Sequence, residues 1–303
     1  MELKIYQQIN LHRPIMIAGW PGMGNVSLIA TGYLRKELKA ELFAEIDVSP
    51  FVVPDGVIVE KGMLKLPAPP KQTIYYRKHP DLIILEGDVQ IRDKPGLILM
   101  EQIIKLIKEF QVSKIFTGAA FPLPINHDEP STVYGCATTT ILRDLLFREY
   151  KLKVMERGEI SGLNGLLLGY AREIEVPAAC LLATMPLYAI NIPNPKASRA
   201  IIKVIEHILG IKIDTTKLDM EIERMEKEMT ELEERLQEEL GNPPLGIAEQ
   251  TGEIPIYVRQ KIERLFREAR QDKDKAYTLK RELDKWNLFD SYEDRFLDLF
   301  KQH

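Results

Sequence analysis

Short apolar runs alternate with longer stretches of helical spacing through the first two-thirds of the chain. Residues 15–18, 81–86, 113–117 and 178–185 are compact, mostly apolar runs and read as buried strands. Residues 95–110 place Leu97, Met100, Ile103, Ile104 and Ile107 at helical spacing. Residues 138–150 and 197–209 read as further helices, the second stopped by Gly210. Strands with helices between them predict an α/β fold, a sheet covered by helices on both faces. Residues 57–76 hold β-branched residues, Gly62 and Pro67-Ala68-Pro69-Pro70, which predicts antiparallel strands at the sheet edge.

The pattern changes at Asp214. Leu218, Ile222, Met225, Met229, Leu232 and Leu236 recur at spacings of four and three among Glu, Lys and Arg. This is a heptad-like, coiled-coil-type seam of about three heptads. Gly241-Asn242-Pro243-Pro244 breaks it, and residues 255–286 read as a second helix. The expected domains are therefore an α/β domain, 1–213, and a helical arm, 214–303. Leu218, Ile222, Met225, Met229 and Leu232 are the candidate contacts for a partner or a second copy.

Composition narrows the function. The chain has 303 residues, 45% hydrophobic and 28% charged, with a net charge of -4. No basic excess points to nucleic acid. No apolar run is long enough for a membrane span, and Met1-Glu2-Leu3-Lys4 is not laid out as a signal peptide. A cytoplasmic protein is expected. Cys136 and Cys180 lie far apart in sequence among apolar and small residues, so they read as buried thiols rather than a disulfide or metal pair. Asn126-His127-Asp128-Glu129 is the densest polar cluster, but neighbouring loop residues point apart and no second ligand-rich segment joins it. No metal site and no catalytic set are expected.

The candidate chemistry lies after the first buried strand, in Gly19-Trp20-Pro21-Gly22-Met23-Gly24-Asn25-Val26-Ser27. A strand, a glycine turn and a helix start can offer backbone N–H groups to an anion. The same turn can simply let helix pack on sheet. Ser27 stands where a dinucleotide fingerprint needs its third glycine, although Asp47 lies about where the ribose-binding acid would fall. No Lys-Ser or Lys-Thr follows, which excludes a Walker-type loop. Gly22, Gly24, Asn25 and Ser27 remain the ligand candidates.

Two further segments carry a family signature. Ser161-Gly162-Leu163-Asn164-Gly165 leads into Val176-Pro177-Ala178, and Asn191-Ile192-Pro193-Asn194-Pro195-Lys196-Ala197-Ser198 follows. With the glycine turn and Leu85-Glu86-Gly87-Asp88-Val89-Gln90, residues 10–213 closely resemble the proteasome assembly chaperone family, the archaeal and bacterial relatives of the second eukaryotic assembly chaperone. The resemblance implies a mixed sheet flanked by helices, similar to purine nucleoside phosphorylases. It also implies a homo-oligomer, with proteasome subunits as the partners of some archaeal members; no cofactor is expected. Gly19, Pro21, Asn164, Gly165, Asn194, Pro195, Lys196 and Ser198 match family motifs and are expected to be structural. Proteasome-binding members often end in a hydrophobic residue, tyrosine and any residue, whereas this chain ends Lys301-Gln302-His303.

The reading is a homo-oligomeric, ATP-independent protein-binding or assembly factor. The alternative is a phosphate- or nucleoside-binding protein or enzyme that uses the turn at residues 22–27.

Overall fold

The computed structural model describes residues 1–239, 256–271, 275–286 and 288–300. It divides into two compact units, Met1–Glu228 and Met229–His303.

The first unit is built on a nine-stranded sheet. Its strands are β1 (Glu2–Ile5), β2 (Ile15–Gly19), β3 (Glu41–Asp47), β6 (Lys71–Arg77), β7 (Leu82–Gly87), β8 (Lys114–Leu123), β9 (Val133–Ala137), β10 (Lys153–Val154) and β11 (Ala178–Pro186). They lie in the order β1-β3-β6-β7-β2-β8-β11-β9-β10. The centre, β7-β2-β8-β11, is parallel, and antiparallel pairs flank it. A separate hairpin, β4 (Ile58–Glu60) with β5 (Met63–Lys65), hangs between β3 and β6.

Burial explains the parallel centre. All nine residues of β11 and all six of β7 are buried, so both faces need cover. On one face, Leu99, Met100 and Ile103 of α2 (Asp93–Glu109) and Leu163 and Leu167 of α4 (Gly162–Glu173) pack on Met16, Ala18 and Leu85. On the other, α1 (Val26–Glu37), α3 (Thr140–Arg148) and α5 (Pro195–Leu209) pack on Ile17, Ile84, Phe116 and Leu181. The mixed sheet flanked by helices is thus the fold. Among the described residues, no helix is long and apolar enough to cross a membrane.

Several elements differ from the sequence reading. The strand expected at 113–117 continues to Leu123, paired with β11 along its length, and at Gly118 a Cβ would stand 3.2 Å from Ser27 and Ile201. Small residues there let α1 and α5 come close to the sheet. The edge strands expected at 57–76 are split: β6 joins the sheet, while β4 and β5 do not.

The seam after Asp214 lies on α6 (Thr216–Glu239). Leu218 and Ile222 are buried in the core beside α5, and Met225 and Met229 are half-buried. The side chain of Leu232 lies outside the described residues. Arg199 pairs with Asp219, and Lys196 with Glu226. The candidate contacts Leu218 and Ile222 are therefore covered by the chain's own α/β core rather than left free. A narrow stripe among charges suits one groove, and the helix layer of this unit provides it.

In the second unit the helix expected over 255–286 is two helices, α7 (Ile256–Gln271) and α8 (Lys275–Lys285), followed by α9 (Phe289–Leu297). Ile262, Phe266, Leu279, Leu283 and Phe296 form a small core of their own.

Leu218→Ala should lower stability by about 2–5 kcal/mol in denaturant melts, the range for truncating a buried leucine. A fragment ending at Ile213 should aggregate, while one ending at Glu228 should stay soluble and cooperative. Equal behaviour of the two fragments would contradict this packing.

Candidate functional site

The chain winds outward from β2 to β7 on one side and to β8 on the other, so the carboxyl ends of these strands form the crevice where open α/β sheets usually bind ligands. A cleft of about 510 Å³ lies there, lined by Gly22, Ser27, Gln90, Arg92, Glu159 and Asn164 among others.

The glycine turn forms one wall. Residues Met23–Asn25 make a single 3₁₀ turn before α1. Gly24 and Asn25 are both left-handed, with φ of 60° and 47°. Asparagine tolerates that region better than most side chains. At Gly24 a Cβ would also stand 2.9 Å from the Met185 side chain and 3.1 Å from Asn194 Cβ. Gly22 is different. Its backbone is extended, and a Cβ would meet nothing within 4 Å.

Several donors of this turn are engaged within the protein. Gly24 N–H donates to Ile190 O at 2.7 Å, Asn25 N–H to Gly22 O at 2.9 Å, and Val26 N–H to Met23 O. The Ser27 hydroxyl donates to Asn164 Oδ1 at 3.3 Å. Asn164 closes the wall. Its Oδ1 accepts from Trp20 N–H at 3.2 Å, and its Nδ2 donates to Trp20 O at 3.3 Å. Both residues are buried. The carboxamide thus continues the backbone pairing where β2 ends. Gly165 beside it faces Ile160, where a Cβ would clash with the carbonyl oxygen at 1.8 Å.

Gln90, the last residue of the 85–90 segment, is a second brace. Its Nε2 donates to Pro21 O at 2.6 Å, and its Oε1 accepts from Leu163 N–H at 2.9 Å. The fully buried Trp20 donates its indole N–H to Gln72 Oε1 at 2.6 Å. The sequence reading missed Gln72, and a polar residue within a β-branched run was the available signal.

The third motif ties α5 to the same turn. Asn194 caps α5 by accepting from Ala197 N–H at 2.8 Å, and its own N–H donates to Gly24 O at 2.8 Å. The Ser198 hydroxyl donates toward Val26 O at 3.0 Å and Asn194 O at 2.9 Å. Pro195 opens the helix, where a missing N–H costs nothing. Lys196 turns the other way, donating to His127 O at 2.5 Å and Glu129 O at 3.3 Å. The His127 loop is therefore a clasped loop, and among the described residues no group of three His, Cys, Asp or Glu is placed to hold a metal.

Asp47 is remote from the role of a ribose-binding acid. β3 is antiparallel to β6, and two strands separate it from β2. The Ser49 hydroxyl and amide hold the Asp47 carboxyl below its ordinary value. Near the crevice, burial pushes the Glu86 carboxyl up, and Arg35, bound to both its oxygens at 2.9 and 3.0 Å, opposes that shift. Cys136 and Cys180 are direct cross-strand neighbours on β9 and β11, an adjacency their sequence distance concealed. Both are free thiols, and burial pushes Cys180 up to about 12. Desolvated thiols of this kind are poor nucleophiles.

The PAC2 family model matches residues 16–233. The chain belongs to the PAC2 family. PbaB of Pyrococcus furiosus, an archaeal proteasome activator, has a similar structure, with a TM-score of 0.65 and 28% identity over 77% of this chain and 98% of PbaB. PbaA of the same organism, an archaeal homolog of proteasome-assembly chaperone, shares the fold at a TM-score of 0.62 and 22% identity, over 78% of this chain and 93% of PbaA. The uncharacterised protein MJ1210 of Methanocaldococcus jannaschii is 27% identical over 245 residues, 77% of this chain and 90% of that protein. The braces around Trp20 and Gly24 lie within the span that the family model matches.

Gly24→Ala should destabilise the protein by about 1 kcal/mol or more, whereas Gly22→Ala should be neutral or slightly stabilising. Asn164→Ala strands two buried backbone groups of Trp20 and should cost about 1–3 kcal/mol for each. Chemical denaturation of the three variants checks this. Equal effects at Gly22 and Gly24 would contradict the turn geometry.

Proposed function

We propose that this PAC2-family chain is a homo-oligomeric protein-binding factor that acts on a proteasome-type assembly without nucleotide hydrolysis. The observation that carries this reading is the likeness to PbaB, which extends over nearly all of PbaB at 28% identity. The engaged N–H groups of Gly24, Asn25 and Val26 and the Ser27 hydroxyl support it, because a phosphate bound to these groups would have to displace bonds already made within the fold. They count equally against a phosphate- or nucleoside-using enzyme at residues 22–27. The contacts expected of Leu218 and Ile222 pass to other surfaces, since both serve the core. Lys301-Gln302-His303 lie outside the described residues.

The test is to mix the purified chain with an archaeal 20S proteasome and follow co-elution and peptide hydrolysis, with and without ATP. Co-elution, with peptidase activity changed equally in both conditions, is expected. Failure to associate at micromolar concentrations, or association only with ATP, would contradict the reading.

A further inference from the structure

The two cysteines of the chain face each other inside the sheet. β9 and β11 are antiparallel, and Cys136 is the direct register partner of Cys180. Side chains alternate along a strand, so directly opposed residues point to the same face. For this pair it is the face covered by α2 and α4, where Cys180 belongs to the core and Cys136 packs against it. The ladder also fixes their spacing. Thr138 N–H donates to Ala178 O at 2.8 Å, and Thr184 N–H to Thr132 O at 2.9 Å. Every second pair between these two is a hydrogen-bonded one, which includes Cys136 with Cys180. The Cα atoms of such a pair stand about 5.5 Å apart, inside the span of about 4.4–6.8 Å that a disulfide bridges.

The two thiols differ in what can reach them. Cys180 is 0% exposed, whereas Cys136 is half-buried. Burial pushes the Cys136 thiol up, and a backbone hydrogen bond from Cys180 opposes the rise. An external reagent therefore meets Cys136 first, and Cys180 is reached from Cys136. Opposed Cβ atoms in a sheet lie about 4.5–5.5 Å apart and those of a disulfide about 3.5–4.5 Å, so one strand has to draw in by about 1 Å. β9 has the freedom to do so, since its far side carries only the two residues of β10. A bond closed against that pull is readily reduced again.

We propose that Cys136 and Cys180 form a reversible thiol–disulfide site, oxidised by small disulfides, whose closed bond ties β9 to the central strand β11. The Cys136 thiolate attacks one sulfur of the small disulfide, R–S–S–R. A Cys136–S–S–R bond forms, and the R–S⁻ that leaves takes up the Cys136 proton. The Cys180 thiolate then attacks the Cys136 sulfur, and the second R–S⁻ leaves with the Cys180 proton. Two protein thiols are oxidised to one disulfide, and one small disulfide is reduced to two thiols. Neither cysteine lines the crevice at the strand ends, so the site is independent of the reading proposed above.

The test incubates the reduced full chain with millimolar hydroxyethyl disulfide, then denatures it and alkylates it with N-ethylmaleimide. Mass spectrometry should show the loss of two hydrogens, no alkylation at either cysteine, and a peptide that joins residues 136 and 180. Dithiothreitol should reverse all three. Cys180→Ala should stop at the mixed disulfide on Cys136, and Cys136→Ala should react at least about ten-fold more slowly than Cys180→Ala. In the oxidised chain the amides of β9 should exchange at least about ten-fold more slowly than in the reduced chain. Stable adducts on both cysteines, or a bond joining Cys136 of two chains, would overturn the pairing. Thiols that stay free would overturn the site. Equal exchange of the β9 amides in the two forms would overturn the tie between the strands.

Discussion

One carboxamide holds the crevice together. Asn164 reaches from the first turn of α4 to both the N–H and the carbonyl of Trp20, and receives the Ser27 hydroxyl from α1. It therefore joins the end of β2 to helices on opposite faces of the sheet. Parallel strands end in backbone groups that no neighbour pairs, and a buried group without a partner is costly. Asn164 supplies a donor and an acceptor at the right separation, which an apolar residue cannot. Gln90 repeats the device one residue further on, between Pro21 and Leu163. Asn194 joins α5 to the turn differently: its Oδ1 accepts from Ala197 N–H, and its backbone N–H donates to Gly24 O.

These braces decide how the glycine turn is understood. A turn at a helix start binds anions when its N–H groups point outward and unpaired. Here Gly24, Asn25 and Val26 spend theirs inside the protein. Glycine is needed at 24 for a left-handed backbone pressed against Met185 and Asn194, which is a packing reason. Asn164, Gln90, Asn194 and Ser198 are thus parts that hold strands and helices in register.

Much of this was legible in the sequence, and the exceptions have physical causes. The central strands were legible because both faces are buried, which makes them continuous apolar runs such as Ile83-Ile84-Leu85. Asn194 was legible as a structural position, and an Asn-Pro pair at a helix start has a local capping mechanism. The partners of Asn164, Gln72 and Gln90 were not, since each is set by residues about 50 to 140 positions away. β9 and β10 escaped notice because Val133–Ala137 is a five-residue run interrupted by Gly135 and Lys153–Val154 is only two exposed residues. The stripe from Leu218 to Leu232 showed that one side of α6 must be covered. Periodicity does not say by what, and at Leu218 and Ile222 the cover is the chain's own core.

Hydrogen exchange at single amides tests the central claim most directly, that the turn is a brace rather than a ligand site. The amides of Trp20 and Gly24, bonded to Asn164 Oδ1 and Ile190 O, should exchange as slowly as those of β11. Their rates should not change when phosphate or adenosine is added at millimolar concentration. Fast exchange in the free protein, slowed by either compound, would show that the turn waits for a ligand and would contradict the account.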